Sequence, residues 1–159
     1  MGLDAKIMIE VLYGCGFDDV WEQHPREDGF LTYKTQLVID EVFKHSYIHG
    51  FMCEHNSEAH ECRSIELDKE ELLRLEVLLK SWVKDPEAFK PCPKRFWGAF
   101  FGPRPDEEGF ERHRDRLRKE ATALAKKIRK GRLYIEKMNK KYDHAYNKPW
   151  YYAVYRASW

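Results

Sequence analysis

Six residues able to bind metal or move protons crowd into one short stretch: His45, His49, Cys53, His55, His60 and Cys62 lie within 18 residues. His45 and His49 are four apart, so on a helix both imidazoles face one way, and Cys53 with Cys62 could complete a four-ligand zinc site of the structural type. The expected metal set is therefore His45, His49, Cys53 and Cys62. The spacing matches no standard zinc module, since it has neither a CxxC pair nor an HExxH helix, and histidines in a polar loop also occur simply as solvated side chains. A catalytic zinc would further need an open coordination position and a base, for which Glu54, Glu58 and Glu61 are at hand. Elsewhere Cys15 and His24 could act as nucleophile and base, although nothing in their spacing fixes a geometry and a buried structural thiol is the plainer reading. The sequence holds no glycine-rich phosphate loop, no GxSxG elbow and no dinucleotide fingerprint, so no catalytic residue is assigned.

The second chemical feature is charge. The net charge is only +1, yet residues 1–110 carry 13 Lys/Arg against 22 Asp/Glu, while residues 111–148 carry 14 against 5. Two readings follow: a basic element laid across an acidic body and neutralising it, or a basic helix facing an external anion. In the second, Arg112, Arg116, Lys119, Lys126, Lys127, Arg129, Lys130 and Arg132 contact phosphates. The binding is then salt-sensitive and independent of sequence, with Tyr134, Tyr142 and Tyr146 available to stack on single strands. No helix-turn-helix or zinc-finger pattern supports base-specific readout.

The elements that must position these groups are readable in outline. A chain of 159 residues with 43% apolar content is the size of one ordinary domain. Ala5–Tyr13 is apolar and β-branched and is closed by Gly14 and Gly16, which predicts a buried strand. Residues 17–30 read as a polar connector anchored by Phe17, Val20 and Trp21. The spacing of Leu37, Val38, Val42 and Phe43 predicts a first helix over Tyr33–Gly50, ended by its glycine. Cys62–Leu67 predicts a short strand. Asp68 with Glu71 forms a capping box, and Leu72, Leu75, Leu79 and Trp82 make the apolar stripe of a helix that stops at Asp85-Pro86. The aromatic run 95–102 reads as packed loop or short strand.

From Phe110 to Tyr142 the apolar residues keep a nearly unbroken heptad register through Gly131, predicting one long helix over 107–142. At 1.5 Å per residue it is about 54 Å long, more than a domain of this size is expected to cover, so part should project or pair, in a homodimer for instance. Pro149–Trp159 predicts a C-terminal strand. The expected fold is α+β: a small, mainly antiparallel sheet covered by helices. The layout is a single domain over 1–159, with an acidic body (1–106), a long basic helix or helical hairpin (107–148) and a last strand (149–159).

No apolar run is long enough for a membrane helix, and the start lacks the pattern of a secretion signal, so a cytoplasmic protein with reduced cysteines is expected. The opening Met1-Gly2-Leu3-Asp4, the Cys62–Leu72 segment, Asp85-Pro86-Glu87, Gly98-Ala99-Phe100-Phe101-Gly102 and the closing Tyr155-Arg156-Ala157-Ser158-Trp159 together resemble a family of small proteins of tailed phages and prophages. Ala5, Asp40 and the longer basic segment 119–148 depart from its pattern. The resemblance implies an accessory role in the cytoplasm of a host bacterium and carries no chemistry. Three functions are open at this point: a non-enzymatic module that binds and inhibits a host protein complex, of the anti-CRISPR kind; a nucleic-acid binder; and a zinc-dependent enzyme. In the first, an acidic surface holding Glu58, Glu61, Glu70 and Glu71 would imitate nucleic acid toward a basic host channel.

Overall fold

The computed structural model describes residues 4–12, 34–55, 64–92, 101–144 and 149–158. The polar connector, the Cys15/His24 pair, Cys62, Glu58, Glu61 and most of the aromatic run 95–102 lie outside these residues. Four strands, β1 (Asp4–Leu12), β2 (Lys34–Phe43), β3 (Ile65–Leu67) and β4 (Trp150–Ser158), form one sheet in the order β2-β1-β4-β3. Every neighbouring pair is antiparallel. Among the described residues three helices accompany them: α1 (Ser46–His55), α2 (Lys69–Trp82) and α3 (Phe110–Lys141). The architecture is α+β, as the patterning predicts.

The near-continuous apolar run of β1 suits a central strand flanked on both edges. It pairs with β4 over its full length, Asp4 opposite Ser158 through Leu12 opposite Trp150. Ala5 and Ile7 meet Ala153, Tyr155, Ala157 and the helices in one core cluster, while Ile9, Val11 and Tyr151 form a second with Met138 and Tyr142. On the other face Met8, Glu10 and Val154 are also buried.

The helix expected over Tyr33–Gly50 is instead a strand followed by a helix. Residues 34–43 pair with β1, and the helix occupies Ser46–His55. A β-bulge explains the misreading. Ile7 lies opposite Asp40 and Met8 opposite Val38, so Ile39 is an extra residue on β2. An extra residue breaks strict alternation, and a broken period of two passes for a period near four. The bulge also has a geometric effect: it sets Asp40 beside Ile7, on the side of the sheet where α3 lies.

Gly50 does not end a helix either; it sits inside α1. The amide of Cys92 donates to the Ser46 carbonyl at 2.9 Å, which brings residues 91–92 across this face of α1. A Cβ on Gly50 would come within 2.5 Å of the Cys92 nitrogen and 2.7 Å of the Pro91 carbonyl carbon.

The helix α2 begins as predicted, with the complete capping box: Glu71 N–H donates to Asp68 at 2.7 Å and Asp68 N–H to Glu71 at 2.8 Å. Its stripe of Leu72, Leu75, Leu79 and Trp82 is buried in the main core.

One helix, α3, runs through Gly131 without a break, 32 residues or about 48 Å. The expected projection does not occur. Phe110, Leu117, Ala121, Leu124 and Ile128 are buried, and Ile135, Met138 and Tyr142 continue the stripe half-buried against the sheet. The register therefore faces α2 and the chain's own sheet. The bulged strand and the helix approach closely at Gly131, where a Cβ would meet the end of the Ile39 side chain at 2.6 Å.

The edge of β4 is closed in an unusual way. The short β3 pairs with it only at Ala153, Val154 and Tyr155. Beyond β3, the side chain of Asn139 on α3 donates to the Tyr151 carbonyl and accepts from the Tyr151 amide, both at 2.8 Å. A helix side chain thus occupies, for one residue, the place of a neighbouring strand.

The two glycines set up a contrast. In both helices alanine is intrinsically favoured over glycine by about 1 kcal/mol. At Gly131 the obstacle is the end of the Ile39 side chain, which can turn away, whereas at Gly50 it is backbone. Gly131→Ala is expected to leave stability within about 1 kcal/mol of the parent, while Gly50→Ala lowers it by about 2 kcal/mol or more. Urea unfolding of the two variants measures the difference, and equal midpoints would remove the close-approach account of Gly50.

Candidate nucleic-acid interface on α3

The buried stripe of α3 defines its opposite, solvent-facing side. Arg112, Lys119, Lys126, Lys130 and Lys137 follow one another at intervals of seven, seven, four and seven, the spacing of one helix face. All five are exposed, and none makes an ion pair with another described residue. The line from Arg112 to Lys137 is about 37 Å long, or some eleven phosphate spacings of one DNA strand.

Why these five stay available follows from the carboxylates. The helix holds four: Glu111, Asp115, Glu120 and Glu136. Each is bound to a different arginine of the same helix: Arg114, Arg118 (3.6 Å), Arg116 (4.0 Å) and Arg132 (3.0 Å) respectively. The remaining ties reach the acidic body. Arg118 donates to the Trp82 and Val83 carbonyls at the C-terminal end of α2, where the helix dipole favours a cation. Lys127 pairs with Asp40 at 3.0 Å. One side of the helix is therefore tied to the acidic body, and the other presents exposed cations.

Of the eight residues expected to contact phosphate, seven are exposed, although Arg116 and Lys127 carry the ion pairs just described. Arg132 is the exception. It is mostly buried and bonds Glu76 at 3.2 Å as well as Glu136, so it is part of the α2–α3 interface. Glu76 is almost fully buried, and burial by itself raises a carboxyl pKa. Hydrogen bonds from Lys80 and Arg132 outweigh that and hold Glu76 below the usual range. Of the three tyrosines, Tyr134 reaches the surface, Tyr142 stacks on Tyr151, and Tyr146 lies outside the described residues.

The histidines of the expected metal set are separated by their surroundings. His45 immediately precedes α1 and its Nδ1 accepts the Ile48 amide at 3.2 Å, the post of an N-cap residue. A nitrogen that accepts cannot carry the proton, so His45 is the neutral Nε2–H tautomer. His49 lies one turn on, with Nδ1 2.9 Å from the Tyr155 hydroxyl and its ring against Phe101. Cys53 is half-buried and Cys92 is buried, both as thiols. Burial, with a contribution from Cys53, pushes the Cys92 thiol up to about 12, the direction that disfavours a thiolate. Among the described residues no three His, Cys, Asp or Glu side chains come together as a metal set requires.

A buried carboxylate escaped the sequence reading. Glu10, on the face of the sheet away from α3, binds the Tyr152 hydroxyl at 3.1 Å and Arg156 at 3.2 Å. The signal was present as one acid in the apolar run of β1 and one arginine in that of β4. Only the register, which places Glu10 opposite Tyr152, joins them.

The chain matches no protein-family model, no curated protein and no solved structure. No helix among the described residues is long and apolar enough to cross a membrane.

The capping role of His45 has a measurable effect. Burial lowers its pKa from 6.5 to about 3, and His113 and Arg116 add to the shift. The folded state thus refuses a proton that the unfolded state accepts. Stability from this site is complete above pH 6.5 and is lost as pH falls toward 3, by about 1.4 kcal/mol per pH unit. His113, also lowered by burial, acts in the same direction. Asparagine can hold the cap without titrating, so His45→Asn is expected to flatten the fall of the urea midpoint between pH 6.5 and 4.5. Curves that fall in parallel would assign the acid response to other groups.

Proposed function

We propose that this chain is a non-enzymatic binder of nucleic acid that grips the phosphate backbone with the outward face of α3. The observation that carries this reading is the line of Arg112, Lys119, Lys126, Lys130 and Lys137, held free of ion pairs among the described residues while every carboxylate of the same helix is bound elsewhere. A helix surface that served only solubility would intersperse the two signs along such a line. Five cations in a row recognise a repeating anion, and a smooth helix face reads no bases. Taken with the resemblance to small tailed-phage proteins, the ligand in this reading is nucleic acid in the cytoplasm of an infected bacterium.

Five phosphate contacts give a slope of log affinity against log salt of about −3.5 on single strands and −4.5 on duplex. Lys119→Glu, Lys126→Glu and Lys130→Glu combined should abolish binding at moderate salt and flatten the slope, with the helix content unchanged. Salt-independent binding, or binding that survives the triple reversal, excludes the mechanism.

A second reading, a module that binds a host protein, has one observation of its own. A groove of about 480 Å³ lies between the start of α2, the second half of α3 and the β4 edge. Trp150 stands at its rim, 48% exposed. Glu66 and Glu70 line it, exposed and without an ion pair among the described residues. An indole face beside two carboxylates suits a lysine or arginine side chain of a basic partner segment. Here the acidic surface is Glu66 and Glu70, with Glu71 committed to the capping box. In this reading a discrete host protein is retained from nuclease-treated bacterial lysate and is lost with Trp150→Ala. Retention unaffected by that substitution counts against the groove. The zinc-enzyme reading depends on Cys62, outside the described residues, and the separate surroundings of His45 and His49 lend it no support.

A further inference from the structure

Alongside the basic line, a cavity of about 310 Å³ opens between the end of β2 and the first half of α3. Its wall is partly aliphatic: Leu117, Ala123 and Leu124 form an apolar surface against which a flat group can lie. Its polar lining is of two kinds. Arg116 and Lys127 are about half exposed and stand on the same helix as the phosphate-binding line, one turn from Lys119 and Lys130 respectively. Asp40 and Glu120, their ion-pair partners, and Glu41, paired with Lys6, are carboxylates that accept hydrogen bonds and never donate them. The β2 bulge is what brings Asp40 to this side. His45 also lines the cavity, and its Nε2–H has no acceptor among the described residues.

These features match the parts of a nucleotide. We propose that the cavity takes an unstacked base bearing an exocyclic amino group, from a single strand whose phosphates lie on the α3 line; the proposal rests on the nucleic-acid reading above. A strand phosphate reaching Arg116 and Lys127 takes over the cations now held by Glu120 and Asp40. The carboxylates released by that exchange accept from the base's amino group. Where adenine and cytosine carry the amino group, thymine and uracil carry a keto oxygen that the carboxylates repel, so adenine and cytosine are admitted and thymine and uracil are disfavoured. Bases already splayed out of a helix, in single strands or loops, are the ones a side pocket can receive.

The test is fluorescence anisotropy of the full chain with labelled homopolymers of deoxyadenosine, deoxycytidine and deoxythymidine and with an abasic strand, at one low salt concentration. The adenine and cytosine strands should bind about tenfold more tightly than the thymine and abasic ones. Ala123→Phe fills the cavity from an exposed position without altering charge. It should reduce all four strands to the same weaker, salt-sensitive affinity, with unchanged circular dichroism confirming the fold. Asp40→Asn, which can donate as well as accept, should narrow the gap between cytosine and thymine. Equal affinity of the parent for all four strands overturns the cavity proposal and leaves the α3 line standing, as does a preference that survives Ala123→Phe. Failure of every strand to bind the parent at low salt overturns the α3 reading itself.

Discussion

The structure depends on one seam: the contact of α3 with the sheet and with α2 along the whole length of the helix. A helix of 32 residues whose apolar stripe were left open would expose more hydrophobic surface than a small domain tolerates. Here the stripe is closed by two packing clusters in succession, with Gly131 at the close approach of the helix to β2. Once the apolar side is fixed, the placement of every charge on the helix follows. Residues beside the seam meet carboxylates of the body or the end of α2, and those opposite it are exposed, with no ion pair to another described residue.

The same seam decides which chemistry the charged residues retain. Arg132 and Glu76 sit within it and are held by one another, so their charges serve cohesion between the two helices. Arg116 and Lys127 lie at its margin, each with one carboxylate and considerable freedom. Lys119, Lys126 and Lys130 lie farthest away. The gradient from buried pair to solvated cation runs across the width of one helix, so residues of identical type differ in what they can bind.

Much of this was legible in the sequence. The capping box of α2, the apolar stripe of α3 and the β-branched runs of β1 and β4 are local patterns, and local patterns are what a sequence displays. The misreading of residues 33–50 arose where pairing with a distant strand outweighed local spacing and where Ile39 interrupted the alternation. His45 and His49 were legible as neighbours but not as partners, because residues four apart on a helix converge only if both belong to its regular turns and nothing else claims them. One proved to be a cap and the other a partner of Tyr155. The bond of Glu10 to Arg156 spans 146 positions and is invisible until the strands are in register.

The reciprocal bonds of Asn139 to Tyr151 bear on how the chain behaves in company. A bare strand edge is a template on which another molecule can extend the sheet, and crowding makes such growth hard to reverse. At the end of β4 that template is occupied at its first inward-facing residue by an amide from the chain's own longest helix. The three-residue β3 can then remain short without leaving the backbone of Tyr151 unpaired. Coverage of this stretch of the β4 edge and the placement of the basic face thus depend on the same helix, so that fraying of its last turns would uncover backbone at Tyr151 while the basic residues farther along kept their places.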